Sequence, residues 1–311
     1  MLKSPLLPWI AFNAVVLAAL AIDLGLFSSN KKLTVRDAGI RSAIWVALAL
    51  LFAAGIFYFE GHLAGVEFVT GYLVEYSLSV DNIFVMVLIF SYFDIKEEYQ
   101  HRVLFWGILG ALVMRGLMIA AGAALFSRFE WITYVFGIFL VITGIRMGMG
   151  GDKHADPGAN PVLKLIRRII PVHNDYHGEH FFVRAPDENG VRRRMATPLF
   201  VVLVLIETMD LVFAVDSIPA VFAVTRVPFL VYTSNVAAIL GLRSLYFLLS
   251  GAVTKLRYLS VGLAFILVFV GAKMLTSAWY DVPTVISLGV IILILATAAG
   301  ASVYVDRRQA V

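Results

Sequence analysis

The segment EYSLSVDNIF, Glu75–Phe84, sets two carboxylates and an asparagine in the middle of an apolar run from about Val66 to Phe90. A second segment, DLVFAVDSIP, Asp210–Pro219, repeats the pattern. Glu75 aligns with Asp210, Asp81 with Asp216, Asn82 with Ser217 and Ile83 with Ile218. An ionised side chain at the centre of a bilayer costs roughly 2.5–3.5 kcal/mol on insertion scales. Two such segments in register call for one explanation: the acids face a shared interior rather than lipid.

Composition supports the bilayer. The chain has 311 residues, 60% of them hydrophobic and 15% charged, against roughly 25% charged in soluble domains. At about 20 residues per span, apolar runs predict helices near 7–27, 42–59, 67–90, 103–126, 131–149, 197–222, 229–251, 258–279 and 283–305. The expected fold is an all-α membrane protein of about nine transmembrane helices, a single polytopic unit. The first span has signal-peptide features, Lys3 followed by an apolar run with Ala19 and Ala21. It is read as retained, because cleavage would leave Lys31, Lys32, Arg36 and Arg41 in an extracellular N-terminus. There is no cysteine, which removes disulfides, thiolate metal sites and cysteine nucleophiles.

Basic residues set the orientation. Eighteen of the 25 Lys and Arg fall after the first, third, fifth and seventh spans or at the C-terminus, and three fall on the other side. By the positive-inside rule the N-terminus is outside and the C-terminus cytoplasmic. This distribution accounts for the net charge of +4 without a nucleic-acid partner. The remaining four bases, Arg115, Arg146, Arg243 and Lys273, lie within predicted helices.

Those four also pair by repeat. VMRGLM carries Arg115 and GLRSLY carries Arg243; FLVITGIRM at 139–147 matches ILVFVGAKM at 266–274, aligning Arg146 with Lys273. The unit is three helices, spans 3–5 and 6–8, so the second copy enters from the opposite side. Inverted three-helix repeats recur in secondary transporters, with the substrate site near midplane where the copies meet. The expected organisation is 1–66 as two N-terminal helices, 67–149 as the first repeat, 150–196 as a cytoplasmic loop, 197–279 as the second repeat, and 280–311 as the last helix and tail.

The sixth span adds Glu207, which shares a helix face with Asp210 at i, i+3. Asp216 falls about 120° round from Asp210, and Pro219 is expected to kink the helix and turn Asp216 inward. Five carboxylates facing lipid would cost on the order of 12–17 kcal/mol. They are therefore expected inside, balanced by Arg115 and Arg243, with Arg146 and Lys273 near helix ends. Acids exceed bases by one, or by two with Asp23, a deficit that a divalent cation or protons would close. The expected site takes Glu75, Asp81, Glu207, Asp210 and Asp216 as ligands or proton carriers, with Asn82 and Ser217 as further oxygen donors. The plain alternative is a structural salt-bridge lattice. Met209, beside the acids, fits packing better than soft-metal ligation.

The polar stretch 150–196 carries an amphipathic segment, VLKLIRRII at 162–170, suited to an anionic leaflet. It also holds His173, His177 and His180, which could collect or sense a transition metal on the cytoplasmic side; a solvated loop is the plainer reading. The sequence contains no GxxxxGK[ST], GxSxG or HExxH, so no enzymatic activity is expected.

At EYSLSVDNIFV, ETMDLVFAVDSIPAVFAVT and SNVAAILGLRSLYF the chain resembles the TerC integral membrane family, most closely its longer Alx-type members. The resemblance runs from AIDL at 21–24 through EHFFVR at 179–184 to the last helix. It implies a bacterial inner-membrane protein of the lysine-exporter-like transporter group, linked to tellurium resistance and, for Alx-type members, to manganese export and alkaline pH. The family's intramembrane acids correspond to Glu75, Asp81, Glu207, Asp210 and Asp216. Oxygen donors without thiolate favour Mg, Ca or Mn over Cu or Zn; manganese among these comes from the resemblance. The expected function is proton-coupled export of Mn²⁺ as cargo, with no permanent cofactor. Rivals are export of Ca²⁺ or an organic substrate, and a membrane scaffold recruiting soluble proteins through 150–196.

Overall fold

The computed structural model describes the backbone of residues 6–27, 34–129, 131–149, 161–173, 176–186, 192–250, 258–280 and 282–309; the side chains of Asp23 and Asp81 lie outside the described set. In chain order the elements are α1 (Leu7–Phe27), α2 (Val35–Phe59), α3 (His62–Tyr92), α4 (Glu97–Arg128), α5 (Ile132–Gly148), α6 (Pro161–Ile169), β1 (Phe182–Pro186), β2 (Arg192–Ala196), α7 (Pro198–Phe222), α8 (Pro228–Leu240), α9 (Leu242–Leu249), α10 (Leu259–Thr276) and α11 (Thr284–Gln309). Six described helices are long and apolar enough to cross a membrane: α2, α3, α4, α7, α10 and Thr284–Ser302 of α11. Leu7–Ile22, Ile132–Gly148 and Pro228–Leu240 are shorter apolar helices. The chain is an all-α membrane protein with one small hairpin in its polar segment.

Polarity is inverted relative to a soluble domain. Leu51, Val113, Leu117, Phe265 and Leu293 are each more than 60% exposed, while Glu75, Arg115, Asp210 and Asn235 are buried. An apolar exterior around a polar centre is the arrangement a bilayer solvent demands.

Where sequence and structure differ, local chemistry explains it. α2 begins seven residues earlier than its apolar run, because Thr34 and Asp37 form a capping box: Asp37 N–H donates to Thr34 Oγ1 at 3.2 Å and Thr34 N–H to Asp37 Oδ2 at 3.3 Å. The helix expected at 229–251 is two, bending at Gly241 between α8 and α9. α7 is one helix through Pro219, which sits three residues from its end.

α5 and α10 run antiparallel in close contact, and the contact is mirrored. A Cβ added to Gly144 would lie 2.7 Å from Ala264 O and 2.8 Å from Val268 Cγ2. One added to Gly271 would lie 2.7 Å from Gly137 O and 2.9 Å from Val141 Cγ2. Small residues let backbones approach where apolar burial alone gives no drive between helices. The centre of the bundle is built from α3, α4, α7 and α8. α1 attaches through Tyr232 of α8, whose hydroxyl donates to Asn13 Oδ1 at 2.6 Å.

The polar segment is anchored at one end of the bundle. β1 and β2 pair antiparallel with Phe182 opposite Ala196. Thr197 N–H donates to Phe181 O at 2.9 Å, and its hydroxyl to His180 O at 2.7 Å. Tyr176 hydroxyl donates to Phe93 O in the α3–α4 turn. α6 buries Leu163 and Ile166 in one cluster with Leu199 and Val202 of α7, and exposes Leu165 and Ile169.

Candidate functional site

Glu75 lies 13 residues into the 31-residue α3, and Asp210 lies 12 residues into the 25-residue α7. Both are thus near the middle of their helices, and both turn to one base. Arg115 of α4 is 1% exposed, Glu75 0% and Asp210 4%. Its guanidinium donates to Asp210 through Nε–Oδ2 at 3.1 Å and Nη2–Oδ1 at 2.8 Å, a bidentate fork. Nη1 donates to Glu75 Oε1 and, at 3.1 Å, to Asn235 Oδ1 of α8. Asn235 closes the ring by donating from Nδ2 to Glu75 Oε2 at 2.9 Å. Ser217 Oγ lies 3.5 Å from Nη1, and Asn82 Nδ2 donates to Asp210 Oδ1 at 3.4 Å. Asn82 Oδ1 is buried and has no partner among the described residues.

This assembly holds two carboxylates against one guanidinium, with one negative charge in excess. Desolvating such a group is costly, and it persists only because nearly every lone pair and N–H is matched. Glu75, Asp210, Asn82, Ser217 and Arg115 are thus brought together as one unit. Asn235 is a member that sequence reading did not single out, although the polar triplet Thr233-Ser-Asn235 inside an apolar helix was the available signal. All three are fully buried.

The other predicted residues lie apart from that unit. Glu207 lines a small adjoining cavity with Met86, Leu104, Ile206, Asp210 and Arg243. Its Oε2 is buried with no hydrogen-bond partner among the described residues. Arg243 Nη2 is 3.4 Å from His101 Nδ1 of α4. Asp216 is half-buried and turns toward α5, with Thr143 Oγ1 at 3.5 Å; Pro219 does not bring it to Arg115. Arg146 is exposed at the end of α5 and Lys273 is half-buried on α10. The rings of His173 and His177 stack edge-on at 4.7 Å, and His180 is exposed. Among the described residues no three His, Asp or Glu side chains converge as a metal-holding group.

Residues 60–310 match the sequence model described as the integral membrane protein TerC family. An uncharacterized membrane protein of Myxococcus xanthus is 50% identical over 300 residues, covering 96% of this chain and 92% of its own. Proteins named "Putative membrane-bound redox modulator Alx" are similar as well. The one from Photorhabdus laumondii is 44% identical over 317 residues, covering 99% of this chain and 97% of its own. The one from Escherichia coli K12 is 45% identical over 302 residues, covering 94% and 92%. No solved structure matches the chain. With a full-length set of relatives and a family match over four-fifths of its residues, the chain belongs to the TerC family of integral membrane proteins.

Proposed function

We propose that the protein is a secondary transporter of the bacterial inner membrane that exports a divalent cation, Mn²⁺ in the first instance, in exchange for protons. One observation carries the reading: two buried carboxylates from different helices, Glu75 and Asp210, share the single guanidinium of Arg115. Arg115 acts here as a tethered cation. In the cation-free state it balances Glu75 and Asp210; an arriving divalent ion competes for the same oxygens, and protons compete with both. Asn82, Ser217 and Asn235 supply neutral oxygens at the rim. A donor set of carboxylate, amide and hydroxyl oxygens suits Mg, Ca or Mn. Asp81, Glu207 and Asp216 extend the acid track on α3 and α7, with Arg243 and Lys273 as further balancing charges.

Spans 3–5 and 6–8 are read as inverted repeats, α3–α5 against α7–α10. The reciprocal contacts across α5 and α10 support this, since Gly144 aligns with Gly271 and Val141 with Val268 in the repeat. In that arrangement α8 and α9 form a discontinuous span beside the central site, as inverted-repeat transporters use. The basic hairpin end is cytoplasmic by the positive-inside rule. The name of the Alx relatives speaks of redox; this chain has no cysteine, so a redox influence here would act through the transported ion rather than through a thiol.

The test is reconstitution in liposomes holding a Mn²⁺-quenched dye and a pH dye. Wild type is expected to move Mn²⁺ with counter-movement of protons, and Asp210→Asn to move neither. Folded wild-type protein that carries no Mn²⁺ under any imposed proton gradient would sink the reading.

A further inference from the structure

The hairpin of the polar segment sets like charges face to face. In the β1–β2 register Arg184 stands directly opposite Arg194, and Arg192, two residues along β2, shares their face. All three are exposed, and among the described residues none of them pairs with a carboxylate. Like charges directly opposite across a ribbon destabilise it, so an anion lying over them would relieve the repulsion. Even with Asp187 and Glu188 of the turn counted, residues 182–196 hold four arginines against two acids, and 161–170 adds Lys164, Arg167 and Arg168 with no acid.

This patch sits at the end of a membrane span. β2 ends at Ala196, Thr197 is the N-cap residue of α7, and Pro198 opens a helix long and apolar enough to cross a membrane. Arg194 is four residues from Pro198, at most about 14 Å along an extended chain, which puts it within reach of the headgroup layer. Its guanidinium lies 4.5 Å from the centroid of the Phe182 ring, and Phe182 in turn packs on Phe200 in the first turn of α7, with centroids 4.6 Å apart. A guanidinium stacked on a ring keeps its in-plane N–H donors free for an oxyanion, which it can hold through two of them. α6 reaches the same place. Leu163 and Ile166 are buried in one cluster with Leu199 and Val202, and just beyond α6 His173 N–H donates to Ala196 O at 2.8 Å and Ala196 N–H to Pro171 O at 2.9 Å. Leu165 and Ile169, at i and i+4 on one face, are 55% and 68% exposed, and Arg168 is exposed beside them.

We infer that the hairpin and α6 together form a docking surface for anionic phospholipid in the leaflet at the hairpin end. Headgroup phosphates lie against Arg184, Arg192 and Arg194, while Leu165 and Ile169 enter the boundary between headgroups and acyl chains. A membrane fits this surface better than a soluble polyanion, because Phe182 and Phe200 join the arginines to the start of a spanning helix and because Leu165 and Ile169 would otherwise face water. The surface is independent of what the central site carries.

The experiment places the full-length protein in nanodiscs of phosphatidylcholine with a rising fraction of phosphatidylglycerol. Amide hydrogen exchange over 182–196 reads the hairpin, and the fluorophore NBD attached at Ile169→Cys, in a chain with no other cysteine, reads the outer face of α6. Phosphatidylglycerol is expected to slow the exchange and to shift NBD emission to the blue. Each arginine beside an anionic surface contributes roughly fivefold in binding. Arg184→Gln should therefore weaken both responses, and Arg184→Gln with Arg194→Gln, roughly 25-fold weaker by the same rule, should lose them. Arg128→Gln, at the far end of α4, should respond like wild type. In detergent Arg184→Gln should melt no lower than wild type, since it removes one of two facing like charges. A wild type that does not respond to phosphatidylglycerol overturns the proposal, as does an undiminished response in the double variant. Inorganic phosphate that reproduces the slowed exchange in phosphatidylcholine alone would make this a soluble-anion site, and a melting temperature lowered by Arg184→Gln would make the arginine pair structural; either result also overturns it.

Discussion

Arg115 grips Asp210 with two parallel hydrogen bonds, 3.1 and 2.8 Å, while the same guanidinium reaches Glu75 on another helix. Truncating it strands two carboxylates in the core. Arg115→Met is expected to destabilise by about 3–5 kcal/mol, the usual consequence of leaving a buried charge unpaired. Adding Glu75→Gln and Asp210→Asn removes the stranded charges and should restore more than half of the lost melting temperature. Thermal unfolding of the wild type, Arg115→Met and the triple variant in detergent decides the matter. A triple variant no more stable than Arg115→Met would mean that the guanidinium contributes by shape rather than by charge.

Asn235 bridges Glu75 and Arg115 and is fully buried. Asn235→Ala deprives Glu75 Oε2 of its donor at 2.9 Å, at a cost of about 1–3 kcal/mol for a buried acceptor left without a partner. Asn235→Asp is expected to be worse, since it sets a third carboxylate beside two that one arginine already serves. Melting temperatures should fall in the order wild type, Ala, Asp; the reverse order for the two variants would exclude the amide as a donor.

Much of this centre was legible beforehand, and the reasons are physical. Glu75, Arg115 and Asp210 announce themselves because a bilayer makes every ionisable residue conspicuous. Asn235 was not, because an amide in an apolar helix is inexpensive enough to pass as helix–helix glue. The start of α2 lay hidden in Thr34 and Asp37, outside the apolar run that hydropathy tracks. The hairpin at 182–196 is short and Arg-rich, with alternation too brief to read. Asp216 is half-buried and faces Thr143 of α5, a neighbour that only the packing of α5 against α7 reveals. The close approach of the Glu207 carboxylate to Gly110 could not be foreseen, since it joins positions far apart in sequence.

The mirrored approach of α5 and α10 makes a symmetric prediction. Gly144 and Gly271 each leave 2.7 Å between a would-be Cβ and a facing carbonyl oxygen. Gly144→Val and Gly271→Val should therefore each lower the melting temperature strongly and by similar amounts, roughly the 1–3 kcal/mol or more of an overpacked interface. Gly289, with open space around it, should accept alanine without loss. A valine tolerated at one of the two contact positions and not at the other would break the two-fold relation between these helices.

The hairpin segment hangs on a few polar contacts, and these set a pH dependence. Tyr176 donates its hydroxyl to Phe93 O, and burial, with the charge of Asp94 added, raises its ionisation above the ordinary tyrosine range. A raised acid stays protonated in the folded protein, so the tether contributes fully below about pH 10 and is lost as pH climbs through the shifted value. Thr197 holds the other side by donating to His180 O at 2.7 Å. Limited trypsinolysis at Arg184 and Arg192–Arg194 should therefore be slow in wild type up to about pH 9. It should quicken at neutral pH in Tyr176→Phe, and further in Tyr176→Phe with Thr197→Val, where both donors are gone. Equal cleavage of all three proteins would show that the segment is held by the apolar seat of Leu163 and Ile166 against α7 rather than by its hydroxyls.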